Sequence, residues 1–248
     1  MPFLRAGGRD FDCDALLLDK DGTLLDFKAM WLEWSRYVIE EITAAVGPRS
    51  VPRRAMEAAM GIDLAAWQVD PEGPLAGGSM SGLRDALMTV LHEHAGMREA
   101  EAEDLVMSVA RRSETAMDWE SLTKPVPGLQ AKLEHLRVKN FKLAVVTADS
   151  ATRSKISLAA LQLIDYFDAI IGADMVESSK PAPDMALLAC RMLGVEPARA
   201  VVVGDTPRDI VMAKQAGSAS IGVLSGVCTR EQLAGADAVV DSVVELTT

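Results

Sequence analysis

Two carboxylates stand two residues apart in the run Asp19-Lys20-Asp21-Gly22-Thr23, directly after four apolar residues, Ala15-Leu16-Leu17-Leu18. Acids crowded in this way repel one another, so a cation must sit between them or one must hold a proton. Three further places carry polar groups just beyond apolar runs or at helix starts. They are Thr147, Lys180 between Ser179 and the Pro181-Ala182-Pro183 segment, and the pair Asp205 and Asp209 in Gly204-Asp205-Thr206-Pro207-Arg208-Asp209. Each has an ordinary explanation taken alone. An aspartate after a strand caps helices, Thr147 suits a turn, Lys180 suits a solvated loop, and Asp209 suits the first turn of a helix. Taken together they describe chemistry. Asp19, Asp21 and Asp205 are hard oxygen donors with no histidine or cysteine among them, a set that suits Mg2+. Lys180 and the Thr147 hydroxyl would hold the remaining oxygens of an anion. Backbone N–H groups around Gly22 and Thr23, and at the helix after Thr147, would add donors. A phosphoryl group clamped against a carboxylate is set up for attack by that carboxylate.

The elements that must position these groups follow from hydrophobic patterning. Ala15 to Leu18 reads as a strand buried on both faces. After Asp26 the period changes. Met30, Trp31, Trp34, Tyr37, Val38 and Ile42 recur at helical spacing, closed by Gly47-Pro48. Helices are also expected over Arg53 to Met60, from a cap at Ser81 to Gly96, and over Glu99 to Trp119. A breaker-rich loop, Asp70 to Ser79, separates the second and third. No strand is expected between Lys28 and Leu122. From Lys124-Pro125-Val126-Pro127-Gly128 onward, strands and helices alternate. The strands are Phe141 to Val146, Ala169 to Ile171, Ala200 to Val203, Ser220 to Val223 and Ala238 to Val240. The helices are those carrying Leu129, Leu133 and Leu136, then Ser150 to Leu161, Ala182 to Leu193 and Pro207 to Ala216, with a short turn over Glu231 to Ala234. Such alternation predicts an α/β fold, a Rossmann-like parallel sheet with helices on both faces. In such a sheet the strand C-termini share one edge, so the four polar places fall in one crevice. The organisation expected is a core of residues 1–27 and 123–248, interrupted by an inserted all-helical domain of residues 28–122. Met1 to Asp10, with Pro2, Gly7 and Gly8, reads as an unstructured lead-in.

Composition narrows the function. The chain has 248 residues, of which 25% are charged, and a formal net charge of -11. That sign argues against general nucleic-acid binding, which requires a basic face. A small phosphorylated ligand stays open, because a metal and one or two cations reverse the field locally. Cys13, Cys190 and Cys228 are few, odd in number and far apart, which fits buried thiols in a reducing, cytoplasmic setting. No apolar stretch approaches the ~20 residues of a membrane span, and the N-terminal apolar run is too short for a signal peptide.

The ordered set Asp-x-Asp-Gly-Thr, Thr after the second core strand, Lys-Pro-x-Pro-Asp and Gly-Asp-x-x-x-Asp resembles the haloacid dehalogenase superfamily of phosphohydrolases. Val126-Pro127-Gly128 before the second core strand, and the helical insertion, are similar to its phosphoglycolate-phosphatase-like branch with an α-helical cap. The resemblance implies that Asp19 is the nucleophile and forms an aspartyl-phosphate. It implies that Asp21 is the general acid and then the base, its backbone carbonyl ligating Mg2+ beside the carboxylates of Asp19 and Asp205. Asp209 would support the metal, directly or through water. Gly22, Thr23, Thr147 and Lys180 would bind phosphoryl oxygens, with Lys180 offsetting the charge on Asp19. Two positions depart from the family pattern. Lys20 stands where an apolar residue is usual and is expected to point away from the cleft without a role. Ala148 stands where a small amide or hydroxyl residue is common.

The function these readings favour is a Mg2+-dependent phosphatase for a small phosphorylated metabolite, phosphoglycolate-like or a sugar phosphate. The alternatives are a phosphomutase on the same fold, which keeps both acids, and a non-catalytic phosphate-binding module. Other groups carry less. His92 and His94 are two apart on a helix and do not share a face. Trp31 and Trp34 are expected to pack within the helical block. Leu75 to Met80 is a candidate for the cap segment that reaches toward the cleft. Arg36, Arg53 and Arg54 fit solvated helix faces.

Overall fold

The chain was analysed as a computed structural model that describes residues 3–47, 49–77 and 80–248. It divides into two compact units, Met1–Asp26 with Thr123–Thr248, and Phe27–Leu122.

In the first unit, β1 (Phe3–Ala6) and β2 (Arg9–Asp12) form an antiparallel hairpin, with Leu4 opposite Phe11 and Ala6 opposite Arg9. The expectation of an unstructured lead-in is therefore corrected. Gly7 and Gly8 both hold positive φ, 55° and 77°, and so supply the tight two-residue turn that a hairpin needs. Leu4, Ala6 and Phe11 are buried in the same apolar cluster as the main sheet. The next strand, β3 (Ala15–Leu18), is buried at every residue.

The second unit begins with α1 (Phe27–Val46) and α2 (Arg53–Met60). Two-residue strands β4 (Ile62–Asp63) and β5 (Gln68–Val69) pair antiparallel. They are followed by α3 (Pro74–Gly77), α4 (Met80–Ala95), α5 (Glu99–Ala116) and α6 (Trp119–Leu122). The helical pattern sets this unit, but the expectation of no strand is corrected by the small β4–β5 ladder. The Ile62 and Val69 side chains are buried there, which a breaker count over the loop does not reveal. The long helix expected from Glu99 to Trp119 ends at Ala116, with Met117 in extended backbone. Gly78 and Ser79 of the segment Leu75 to Met80, and Pro48, lie outside the described residues. Trp31 and Trp34 are buried and meet edge to face, with ring centroids 5.6 Å apart, and Trp34 Nε1 donates to Ser113 Oγ at 3.0 Å. Arg36 pairs with Glu33 and Glu40, and Arg53 with Glu57, on exposed faces.

The first unit resumes with α7 (Leu129–Val138), β6 (Lys142–Thr147), α8 (Ala151–Ala160), β7 (Ala169–Gly172) and α9 (Asp184–Leu193). It closes with β8 (Ala200–Gly204), α10 (Pro207–Ala216), β9 (Ala219–Val223) and β10 (Ala238–Val240). The six-stranded sheet runs β10-β9-β8-β3-β6-β7, parallel throughout. The sheet is covered on both faces, and residues alternate between them. Leu16, Leu18, Val145 and Val203 pack with Leu129, Leu133 and Leu136 of α7 on one face. Leu17, Ala144, Val146 and Val202 pack with Met185, Ala186, Met212 and Ala213 of α9 and α10 on the other. Each fully buried Leu or Val removes apolar area worth about 1.5–3 kcal/mol, so β3, buried at all four residues, is a rigid post.

This topology places the chemistry. The chain leaves β3 toward β6 and β7, then crosses to β8, β9 and β10, so the direction of strand addition reverses between β3 and β8. Ligand crevices of open α/β sheets form at such a point, outside the strand C-termini. In register, Leu18 sits between Val145 and Val203, and Asp19 N–H donates to the Val203 carbonyl at 2.9 Å. Asp19 and Asp205 thus emerge side by side.

Candidate active site

Asp19 follows β3, Thr147 ends β6, and Asp205 follows β8. Lys180 reaches in from the loop before α9. Its Nζ lies 2.6 Å from Asp19 Oδ1 and 2.6 Å from Asp209 Oδ1. The backbone carbonyl of Lys180 accepts from the Arg208 guanidinium, which holds the loop down at the start of α10. Thr206 and Asp209 form a capping box on α10. The Thr206 N–H and hydroxyl donate to Asp209 Oδ2 at 3.2 and 2.6 Å. Both oxygens of Asp209 are therefore engaged inside the protein.

Asp205 sits in a slot made by two glycines. A Cβ on Gly22, which also holds φ 92°, or on Gly226 would fall inside the van der Waals shell of Asp205 Oδ2. Ser225 Oγ donates to the Gly22 carbonyl at 2.7 Å and fastens the two glycine loops together. Asp205 Oδ2 is itself buried with no hydrogen-bond partner.

Electrostatics divides these groups. Burial raises Asp19 to about 7; Lys180 opposes the shift, and repulsion from Asp209 and Asp21 adds to it. Burial, with repulsion from Asp19 and Asp209, drives Asp205 well above the carboxylate range, against the pull of Lys180 and a backbone hydrogen bond from Val227. Burial alone would lower Lys180, but its carboxylate neighbours overturn this and keep the ammonium charged. Three acids thus share one lysine. A buried cluster with that balance fits a cation, for which the unpartnered Asp205 Oδ2 is a hard-oxygen donor. Among the described residues, no three His, Cys, Asp or Glu side chains converge to hold an ion by themselves. A donor set this small fits magnesium, which keeps several waters and binds through one or two carboxylates.

Asp21 has a separate environment. Its Oδ2 lies 3.0 Å from Lys20 Nζ, while its Oδ1 is buried without a partner. Lys20 is fully buried and also contacts Asp149 Oδ2 at 3.2 Å. The expectation that Lys20 points away from the cleft is therefore corrected: its ammonium reaches the Asp21 carboxyl. Its signal in the sequence was a charged residue flanked by two acids where the surrounding pattern is apolar. Sequence reasoning also missed Asp149 and Gly226.

Two donor expectations are corrected as well. The Gly22 N–H already donates to the Leu25 carbonyl at 2.7 Å, closing the loop after Asp21. At the start of α8, the N–H groups of Asp149, Ser150, Ala151 and Arg153 are taken by Thr147 Oγ1, Asp149 Oδ1, Asp174 Oδ1 and Ser150 Oγ. Thr23 is fully buried and its Oγ1 has no partner, which places the hydroxyl inside the loop. Thr147 is different. Its Oγ1 accepts from Asp149 N–H at 3.1 Å, which leaves the hydroxyl proton to donate. The three cysteines are free and buried, and burial pushes the thiols of Cys13 and Cys190 up to about 12 and about 11, which makes them unreactive.

The parallel α/β sheet thus carries a lysine-bridged carboxylate cluster at its switch point. A model of the haloacid dehalogenase-like hydrolases matches residues 13–217, and the chain belongs to that family. It is 45% identical over 111 residues to the probable phosphatase IndB of Dickeya dadantii, a match spanning 45% of this chain and 48% of that protein. With the phosphoglycolate phosphatase of Neisseria meningitidis it is 30% identical over 213 residues, covering 86% of this chain and 80% of the relative. The chain spans about half the length of the first curated relatives it matches, 48% of IndB and 45% of an Aquifex aeolicus phosphoglycolate phosphatase. A candidate β-phosphoglucomutase of Thermotoga maritima has a similar structure, with a TM-score of 0.68 at 25% identity, over 94% of this chain and 95% of that one. A Haemophilus somnus protein predicted to be a phosphoglycolate phosphatase shares the fold, with a TM-score of 0.70 at 19% identity, covering 94% and 96%. Among the described residues, no helix is long and apolar enough to cross a membrane.

Proposed function

We propose that the chain is a Mg2+-dependent phosphatase that hydrolyses a small phosphorylated metabolite, phosphoglycolate-like or a sugar phosphate, through a phosphorylated Asp19. One observation carries the reading: Lys180 bridges Asp19 and Asp209 at 2.6 Å each, beside an Asp205 oxygen that no protein group satisfies. The three free, buried cysteines favour a cytoplasmic setting.

Lys180 engages Oδ1 of Asp19, so attack falls to the other oxygen. An Asp19 oxygen bonds to phosphorus as the bond from phosphorus to the ester oxygen breaks. Asp21 delivers a proton to that oxygen, and the alcohol leaves. Asp21 then takes a proton from water, whose oxygen bonds to phosphorus as the Asp19 acyl phosphate bond breaks and phosphate departs. A general acid or base of this kind contributes ~10²–10⁴-fold. Lys180 and the Thr147 hydroxyl bind the non-bridging oxygens, and Asp209 fixes Lys180. The carboxylates of Asp19 and Asp205, with the Asp21 carbonyl, would hold Mg2+, which supplies charge neutralisation at the phosphoryl oxygens. The helical unit is assigned as the cap that selects substrate.

A screen of phosphorylated metabolites with Mg2+, scoring phosphate release, tests this. Release that disappears on chelation is expected. A panel including phosphoglycolate and sugar phosphates that yields no phosphate overturns the reading. The 25% identity to a candidate β-phosphoglucomutase favours one second reading, a phosphomutase. Isomerised sugar phosphate without phosphate release would identify it.

A further inference from the structure

The chemistry above leaves Lys20 of the Asp19–Thr23 run unused, yet it is a fully buried lysine. A lysine is driven into such a place only by charge partners. It has two: Asp21 Oδ2 at 3.0 Å and Asp149 Oδ2 at 3.2 Å. Asp149 is itself fastened. Its Oδ1 accepts from Ser150 N–H at 2.7 Å and its own N–H donates to Thr147 Oγ1 at 3.1 Å. A continuous chain of contacts thus runs from Asp21 through Lys20 and Asp149 to Thr147, joining the ends of β3 and β6.

The effect falls on one carboxyl group. With Oδ2 held and Oδ1 buried but unpartnered, the plane of the Asp21 carboxyl is fixed and one oxygen is left open. We propose that Lys20 is a positioning residue: anchored by Asp149, it holds the Asp21 carboxyl so that Oδ1 meets the leaving oxygen of the ester. The proposal rests on the reading of Asp21 as general acid. Without the lysine, the Asp21 carboxyl loses its contact at Oδ2 and turns away from the line of proton delivery.

Proton delivery matters in proportion to how poor the leaving group is. A p-nitrophenolate departs without help, whereas an alkoxide needs its proton as the bond breaks. The parameter to compare is kcat/KM, which covers the steps up to phosphoryl transfer onto Asp19. Three near-isosteric probes, p-nitrophenyl, phenyl and benzyl phosphate, are assayed with Mg2+ for wild type, Lys20→Met, Asp149→Asn and Asp21→Asn. The expected result is that Lys20→Met loses at least tenfold more kcat/KM on benzyl than on p-nitrophenyl phosphate. Asp149→Asn should shift the same ratio in the same direction by a smaller factor, roughly threefold or more. Equal losses of Lys20→Met on all three probes would reduce Lys20 to a structural ion pair and overturn the proposal. Should Lys20→Met give no cooperative thermal transition, Asp149→Asn decides alone, and an unchanged ratio overturns the proposal. Failure of the underlying reading looks different: Asp21→Asn would then lose equally on all probes, or wild type would hydrolyse none.

Discussion

Replacing Lys180 with methionine removes the lysine that touches both Asp19 and Asp209, while keeping most of the side-chain volume. The cost follows from the geometry. Each contact is 2.6 Å long between side chains that are almost closed to solvent. At an effective dielectric near 20, each attraction is worth roughly 6 kcal/mol gross. Against this, the desolvation of the ammonium, several kcal/mol, is recovered when it is removed. The net expectation is that of breaking a buried pair from one side, about 3–5 kcal/mol. For metal-free protein at pH 8, the urea midpoint should fall by roughly 1–2 M.

The loss should depend on pH, and its sign is fixed by Asp19. Its folded value of about 7 lies above the unfolded value. A raised carboxyl contributes stability that is full below the unfolded value and lost as pH rises through the folded one. In wild type that contribution amounts to about 4 kcal/mol lost between pH 4 and 8. Lys180 lowers the Asp19 value, so the variant carries an Asp19 that protonates still more readily. Between pH 8 and pH 5 the difference between the two proteins should narrow, because at pH 5 both hold a neutral Asp19. Urea titrations at the two pH values, with chelator, measure this. A loss under about 1 kcal/mol at pH 8, or one that is the same at pH 5, would refute the bridge as the device that holds Asp19.

Asp19→Asn should lower phosphate release by at least ~10³-fold and leave the circular dichroism spectrum unchanged; turnover within tenfold of wild type would remove Asp19 as nucleophile. Gly226→Ala places a methyl against Asp205 Oδ2, so it should raise the Mg2+ concentration needed for half-maximal activity by tenfold or more, and an unchanged Mg2+ curve would refute the slot. Exchanging Phe27–Leu122 for the corresponding unit of a relative with another substrate should change the order of preferred phosphate esters while Mg2+ dependence persists. An unaltered order would locate selection in the α/β unit instead.

The strands were legible because their signal is local. Ala15 to Leu18 and Ala200 to Val203 are continuous apolar runs, and a strand covered on both faces needs nothing else. The site was legible because a parallel sheet collects all its strand ends on one edge, so Asp19, Thr147 and Asp205 converge once the alternation is seen. What escaped depends on pairing between distant residues. Lys20 reads as a lysine pointing away from the cleft until Asp149, 129 positions away, is brought to it. The N–H groups of Gly22 and of the start of α8 read as open donors until Leu25 and Asp174 are seen to occupy them. Gly7-Gly8 reads as disorder until β1 and β2 close around it, because two glycines mark both a flexible lead-in and a hairpin turn.

The two lysines explain why neighbouring aspartates are set for different work. Lys180 serves Asp19 and Asp209 while Asp205 crowds the same space, so three buried acids answer to one ammonium, and burial with mutual repulsion raises Asp19 and Asp205. Lys20 serves Asp21 and Asp149, two acids on a separate ammonium. An acid that must deliver a proton has to keep its carboxyl free of the metal, and a lysine between the two aspartates is one way to keep it so.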